Sequence, residues 1–435
     1  MISSKRTNPE PMPSKTLKNS ATLLSANIIA QGIGFLFYPL LTRLYSAQDF
    51  GVLNLFLSIG GILTLFATAD YQYAVLLPKS EKKAADTVRF AFLITFGITL
   101  LCGLSVFFRH PIARLFKAPE LAFIYPLLPL FVLLSAAWVL LNYWFTRRER
   151  FGAVASCQVT QNLSNSLFKY GAGKAGWFRY GLATSTVAGL AVSLAAVLLP
   201  NKAACRPLLR AGNGWRSAAR RYVRFPLFSL PRTIVNNISC NLPVFLLTPY
   251  FGLKEMGYLG MGMTLAQRPV SMVTASLCQV FFQKTAKDVQ ERRSIRAFFN
   301  KVVLGGGLAV AAVFAVLYLV LPSLTGWLLG AGWETTGHYI RLMLPWIWLM
   351  AIGGCVNFIS DLFQKQASML VIESVYLVLR AAALAAGILW RSITLAILLY
   401  SLVSAVVIAV QLVWFSIIIR RYEKSLSASA SSSQA

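Results

Sequence analysis

The chain has 435 residues, enough for two or three soluble domains, yet 57% are hydrophobic and only 13% are charged. That charged share is about half of what a water-facing fold carries, so a soluble globular protein is excluded. With 41 Lys and Arg against 14 Asp and Glu, the formal net charge is +27. The basic residues sit between apolar runs, so the partners they imply are anionic head groups at a membrane surface and not nucleic acid. The composition is that of an all-α polytopic membrane protein.

A spanning helix takes about 20 mostly apolar residues. Twelve such segments follow in chain order, over 21–41, 51–70, 88–108, 121–145, 151–169, 180–200, 221–249, 256–282, 298–321, 338–360, 368–389 and 393–419. The first follows a polar segment, 1–20, and is too long for the apolar region of a signal peptide. Carrying Asn27 and Gln31 and no small-residue cleavage site, it is expected to stay as a signal anchor. Lys/Arg asymmetry gives the orientation. Of the 41 cations, 28 fall in segments on the side of the two termini, nine on the other side, and four (Arg232, Arg268, Arg341, Arg380) in or at the ends of helices. Both termini are therefore expected in the cytoplasm.

The basic, Gly-containing stretch 201–220 falls after the sixth span and reads as a cytoplasmic linker between an N-lobe, 21–200, and a C-lobe, 221–419; 420–435 reads as a disordered cytoplasmic tail. An internal repeat supports two lobes. Leu-Leu-Thr recurs at 40–42 and 246–248, and Asp49, Gly51 and Leu53 are followed at an offset of 206 by Glu255, Gly257 and Leu259. One gap later, 75–80 aligns with 280–285. Two parallel six-helix repeats of this kind enclose a central cavity.

Polar groups inside apolar spans are costly and need a reason. Gln158, Gln161, Asn162, Asn165 and Lys169 form one helical face of the fifth span, and Arg232, Asn236, Asn237 and Asn241 a similar stripe on the seventh. The eighth carries Gln267 and Arg268, and the eleventh Glu373, Tyr376 and Arg380. Arginine presents a planar fork of donors matched to phosphate oxygens, while amides and aromatic rings suit sugars. The other readings are interfacial snorkelling for Arg232 and Lys169, and plain interhelical hydrogen bonding for the amides. Among the acids, Asp70, Asp361 and above all Glu373 are candidates for ion or proton coupling; pairing of Glu373 with Arg380 is the alternative.

Catalytic and metal motifs do not assemble. The six cysteines never fall at C-x-x-C spacing, and the two histidines, His110 and His338, found no zinc site. Gly173-Lys174 lacks the earlier glycine of a phosphate-binding loop.

The segment 39–51, Pro-Leu-Leu-Thr-Arg-Leu-Tyr-Ser-Ala-Gln-Asp-Phe-Gly, closely resembles the motif after the first helix of the polysaccharide exporters known as Wzx flippases, and 74–80 resembles that family's next signature. Arg43, Asp49, Gly51 and Pro78 are the motif positions. Two positions depart, with Ala47 where Pro is frequent and Gln72 where Glu is frequent. The resemblance places the chain in the multidrug/oligosaccharidyl-lipid/polysaccharide exporter superfamily. It implies transfer of an undecaprenyl-diphosphate-linked oligosaccharide to the outer leaflet of a bacterial inner membrane, for O-antigen or another surface glycoconjugate. No cofactor is implied, and polymerase or oligosaccharyltransferase machinery would be the neighbour. The substrate-binding candidates are then Arg268, Arg380, Arg232, Lys169, Asn27, Gln31, Asn165 and Asn236. A cation-coupled drug antiporter of the same superfamily is the alternative, but it would want carboxylates where the spans carry mostly cations. A membrane-embedded polymerase would want a long periplasmic loop.

Overall fold

The computed structural model describes residues 14–209, 214–363 and 365–432; the expected tail before residue 14, the centre of the linker at 210–213 and the last three residues lie outside them. No strand occurs among the described residues. The long helices are α1 (Ser14–Thr42), α2 (Ala47–Thr68), α3 (Glu81–Ser105), α4 (Leu128–Arg147), α5 (Phe151–Lys174), α6 (Phe178–Leu198), α7 (Leu230–Gln290), α8 (Gly307–Leu329), α9 (Glu334–Val356), α10 (Gln366–Leu389) and α11 (Ile393–Ser432). Among the described residues, nine helices are long and apolar enough to cross a membrane. The twelve expected spans are reached only if the amide-rich α5 and both arms of α7 cross as well. α7 merges the seventh and eighth expected spans, broken at Gly252, whose φ of 86° takes the chain out of helical geometry.

Helix boundaries follow local chemistry. α2 starts at a capping box in which Ser46 and Asp49 satisfy each other's backbone N–H groups, the Asp49 carboxylate accepting from Ser46 N at 2.9 Å. It ends where Ala69 and Asp70 turn left-handed, with φ of 46° and 57°. α11 runs on to Ser432, although an unstructured tail was expected from 420. The extension is tied down: Glu423 accepts from Ser294 Oγ at 2.7 Å and from the N–H groups of Ile295 and Arg296, and so caps the start of the helix before α8.

Large apolar side chains face outward along the helices, among them Leu93, Phe96 and Leu100 on α3, Leu308 and Leu319 on α8, and Val406 and Val413 on α11. Such a surface is stable in lipid and not in water. Inside, one cluster joins Phe50 and Leu53 of α2 to Leu247, Met256, Leu259 and Met343 of the second half.

The offset of 206 reappears as a contact. A Cβ on Gly51 would lie 1.8 Å from the Leu253 carbonyl oxygen, and one on Gly257 would lie 1.7 Å from that of Ala47. Each glycine meets the repeat counterpart of the residue that its own counterpart meets, a two-fold crossing in which absent side chains let two backbones touch. Around it, Asn54 Nδ2 donates to Met256 O at 3.3 Å and Ser58 Oγ to Asn241 Oδ1 at 2.8 Å. This seam lies at the end of the bundle away from the termini, the far end.

At the near end, the carboxylate of buried Asp70 accepts from Ser229 Oγ at 2.7 Å, Thr233 Oγ1 at 2.9 Å and Gln72 Nε2 at 3.1 Å, holding the start of α7 to the end of α2. The linker helices Lys202–Leu209 and Trp215–Arg221 are docked on the first half. Arg89 donates to Pro207 O at 2.6 Å, Trp144 Nε1 to Ala204 O at 3.0 Å, and Trp215 stacks on Phe90.

Candidate functional site

A cavity of about 480 Å³ is walled entirely by α7, α9, α10 and α11. Its lining runs from Asn357, Met369, Glu373 and Gln411 towards the near end to Arg380, Trp346 and Tyr400 deeper in. The lining towards the near end is exposed at Asn357 and half-buried at Met369, Glu373 and Gln411, whereas Trp346, Arg380 and Tyr400 deeper in are buried.

Two arginines of different character line it. Arg268, on the second arm of α7, is exposed to the cavity and faces the first half: a Cβ on Gly34 of α1 would lie 3.9 Å from its Nη1, and the Tyr38 hydroxyl lies beside it. Arg380 is only 4% exposed. Its Nε donates to Ser404 Oγ at 3.0 Å, its Nη1 to Ser239 Oγ at 3.1 Å and to Ser239 O, and its Nη2 to the Tyr376 hydroxyl. The guanidinium carbon lies 3.9 Å from the Tyr376 ring centre, 4.7 Å from Tyr400 and 5.2 Å from Trp346. Stacking of this kind offsets part of the cost of burying a cation. Among the described residues neither arginine makes an ion pair.

The other expected site residues divide. Asn236 and Glu373 line the cavity with Arg268 and Arg380. Arg232 and Asp361 are close enough to Glu373 for their opposite charges to act on it. Asn27, Gln31, Asn165 and Lys169 are not in this wall. On α5 the backbone of Asn165 lies against Gly189 of α6, Asn162 donates to Gln158 O at 3.0 Å, and the side-chain oxygens of Gln158 and Asn165 have no partner among the described residues. Lys169 still feels the charge of Arg268 across the gap between the halves. Asp70 is held by three donors and does not touch the cavity.

The motif positions prove architectural. Asp49 caps α2, Gly51 makes the crossing, and the 75–78 carbonyls are clamped by Arg147, which donates to Val75 O and Leu76 O at 3.1 Å and to Pro78 O. Arg43 is exposed beside Gly330. Between α8 and α9, positive φ at Gly330 and Gly332 turns Trp333 back into the far end. Its indole N–H donates to Thr42 O at 3.1 Å, and its ring meets Phe50 and Tyr258 edge-on, each at 5.5 Å. Nearby, burial and the Asp49 carboxylate push the Tyr45 phenol up to about 12, so it stays protonated and donates to Lys169 O at 2.8 Å.

Sequence reading missed Ser239, Tyr400, Ser404 and Gln411. The last three do share one face of α11, a polar stripe in an otherwise apolar helix.

Residues 40–337 match the polysaccharide biosynthesis protein family over more than half of the chain. The chain belongs to this family. A curated relative, the succinoglycan biosynthesis transport protein ExoT of Rhizobium meliloti (strain 1021), is 21% identical over 314 residues, which span 72% of this chain and 62% of that protein. Two solved structures share the fold of this family member. One is the lipid II flippase MurJ in an inward closed conformation, with a TM-score of 0.73 at 11% identity over 95% of this chain and 92% of that one. The other is an inward-facing multidrug resistance MATE family transporter of the MOP superfamily, with a TM-score of 0.66 at 14% identity over 92% and 99%. The chain is thus a multi-pass membrane protein with the transporter fold of that superfamily.

Proposed function

We propose that this protein flips an undecaprenyl-diphosphate-linked oligosaccharide from the cytoplasmic to the outer leaflet of a bacterial inner membrane by alternating access, for surface polysaccharide or glycoconjugate assembly. The observation that carries the reading is the cavity itself. Its lining is accessible towards the termini and buried deeper in, and it carries two arginines with no ion pair among the described residues against one carboxylate, Glu373, a balance that favours a diphosphate over the cationic cargo of a drug antiporter. Family membership, the succinoglycan transport relative and the lipid-flippase fold support it. Arg268, exposed and aimed at the gap between the halves, is the natural head-group contact; Asn236, Arg232 and Lys169 surround its approach.

The excess of cations on the termini side supports cytoplasmic termini, and with them a cavity whose accessible lining faces inward. A cysteine at Gly332 should react with an impermeant thiol reagent on intact spheroplasts, and one at Lys202 only after permeabilisation; the opposite pattern would reverse the transport direction proposed here. In vesicles, transfer of a prenyl-diphosphate-linked oligosaccharide should fall about tenfold in Arg268→Ala, as expected for one lost charged hydrogen bond. Arg268→Lys should keep part of it, because the site is open and tolerates a point charge. Unchanged transfer in Arg268→Ala would remove the arginine from the head-group site.

A further inference from the structure

The deep end of the cavity holds a guanidinium N–H and a phenol hydroxyl that have no hydrogen-bond partner among the described residues. Four of the five N–H groups of Arg380 are used by Ser404, Ser239 and Tyr376, and the fifth has no partner among the described residues. Tyr400 lines the same cavity, is 2% exposed, and its hydroxyl has no hydrogen-bond partner among the described residues. A buried hydroxyl without a partner is costly and therefore informative. No carboxylate pairs with Arg380 among the described residues. The nearest acid on its own helix, Glu373, is seven residues away, about 10 Å along the axis. The hydroxyls of Ser239 and Ser404 already accept from the guanidinium, and the rings of Trp346 and Tyr376 present their faces to it.

We propose that Arg380 and Tyr400 form an oxyanion subsite that holds one anionic oxygen group of the cargo, a carboxylate on the glycan or a phosphate of its linkage. Each of the two groups has a donor to give, so a ligand that accepts from both satisfies the site, and the guanidinium, without an ion pair among the described residues, selects an anion. The serines and aromatic rings hold the fork in place before cargo arrives, which lowers the ordering cost of binding. This subsite rests on the flippase reading and adds to it a contact separate from Arg268.

The test uses the purified full-length protein and Tyr400→Phe, which keeps the ring against Arg380 and removes only the hydroxyl. The probes are inorganic pyrophosphate, glucuronate and neutral glucose, read by probe-induced shifts in melting temperature. The unliganded variant should melt at the wild-type temperature or above it, since the hydroxyl has no partner to lose. The wild type should respond to pyrophosphate or glucuronate and not to glucose, and the variant should need about tenfold more anion for the same shift. A response to pyrophosphate alone assigns the subsite to the linkage; one to glucuronate alone assigns it to the glycan. An unliganded variant that melts lower, an unchanged anion response, or no anion response in the wild type overturns the subsite. Vesicle transfer by the wild type is measured in parallel, so loss of the subsite with transfer intact leaves the flippase reading standing.

Discussion

Arg380→Met should fold nearly as stably as the wild type and lose glycan transfer by tenfold or more. Arg380 is a buried cation with no counter-ion among the described residues, held by oxygens and rings. Replacing a buried charge by an apolar side chain of similar length often costs nothing and can stabilise. If the guanidinium serves the cargo, stability and transfer separate in this variant. Both variants take the guanidinium away from Ser239, Ser404 and Tyr376, but Arg380→Ala also leaves a void, at a further cost of about 2–4 kcal/mol. Lysine at this position should fail too. A single ammonium cannot span Ser404 on α11, Ser239 on α7 and Tyr376 on α10 at once. Thermal unfolding and vesicle transfer, measured together, decide the matter. An Arg380→Met protein that transfers normally would make the arginine a structural strut.

The second large effect is expected at the glycine crossing. In Gly51→Ala and Gly257→Ala the new methyl group meets a backbone carbonyl at 1.8 and 1.7 Å, with no flexible side chain to yield. The helices must part by more than 1 Å, and overpacking of this kind costs about 1–3 kcal/mol or more. Because α2 and α7 belong to different halves, the strain falls on the far-end seam. A cysteine pair replacing Ser58 and Asn241, whose side chains now touch at 2.8 Å, should cross-link readily in the parent and poorly in either alanine variant. Gly60→Ala should be milder, since its close neighbour is the Phe131 ring at 2.5 Å, inside the first half. Gly61→Ala, with nothing within 4 Å, should be silent. Strong cross-linking in Gly51→Ala would mean that the seam is not the contact closing the far end.

The fold was legible because lipid imposes a simple code. Long apolar stretches, separated by basic loops, gave the helices, although some ends differ by seven to nine residues, as at 88 against Glu81 and 221 against Leu230, and the repeat at an offset of 206 gave two lobes. The break at Gly252 falls between the expected spans 221–249 and 256–282, while the contact of Gly51 and Gly257 with the opposite backbone was not legible. Nor was the direction of the polar faces. The amides of α5 and those of α7 follow the same spacing, yet Asn236 lines the cavity while Asn165 is outside it. Periodicity shows which residues share a face and is silent on what that face meets. The partners of Arg380 come from three helices, and serines in apolar sequence attract no notice until a cation reaches them.

The docked linker has a mechanical consequence. Arg89, Trp144 and Phe90, which grip its two described helices, all belong to the first half, so those helices are held to that half. What is left before α7 is the short π-helical stretch Phe225–Ser229, with Pro226 in its first turn and Asp70 anchoring its last residue. That corner can act as a fulcrum. The first arm of α7 then becomes a lever of about 36 Å from Ser229 to Leu253, and each degree of tilt carries its far tip about 0.6 Å from Gly51. A rotation small enough to spare the near-end contacts would unzip the crossing at the other face of the membrane.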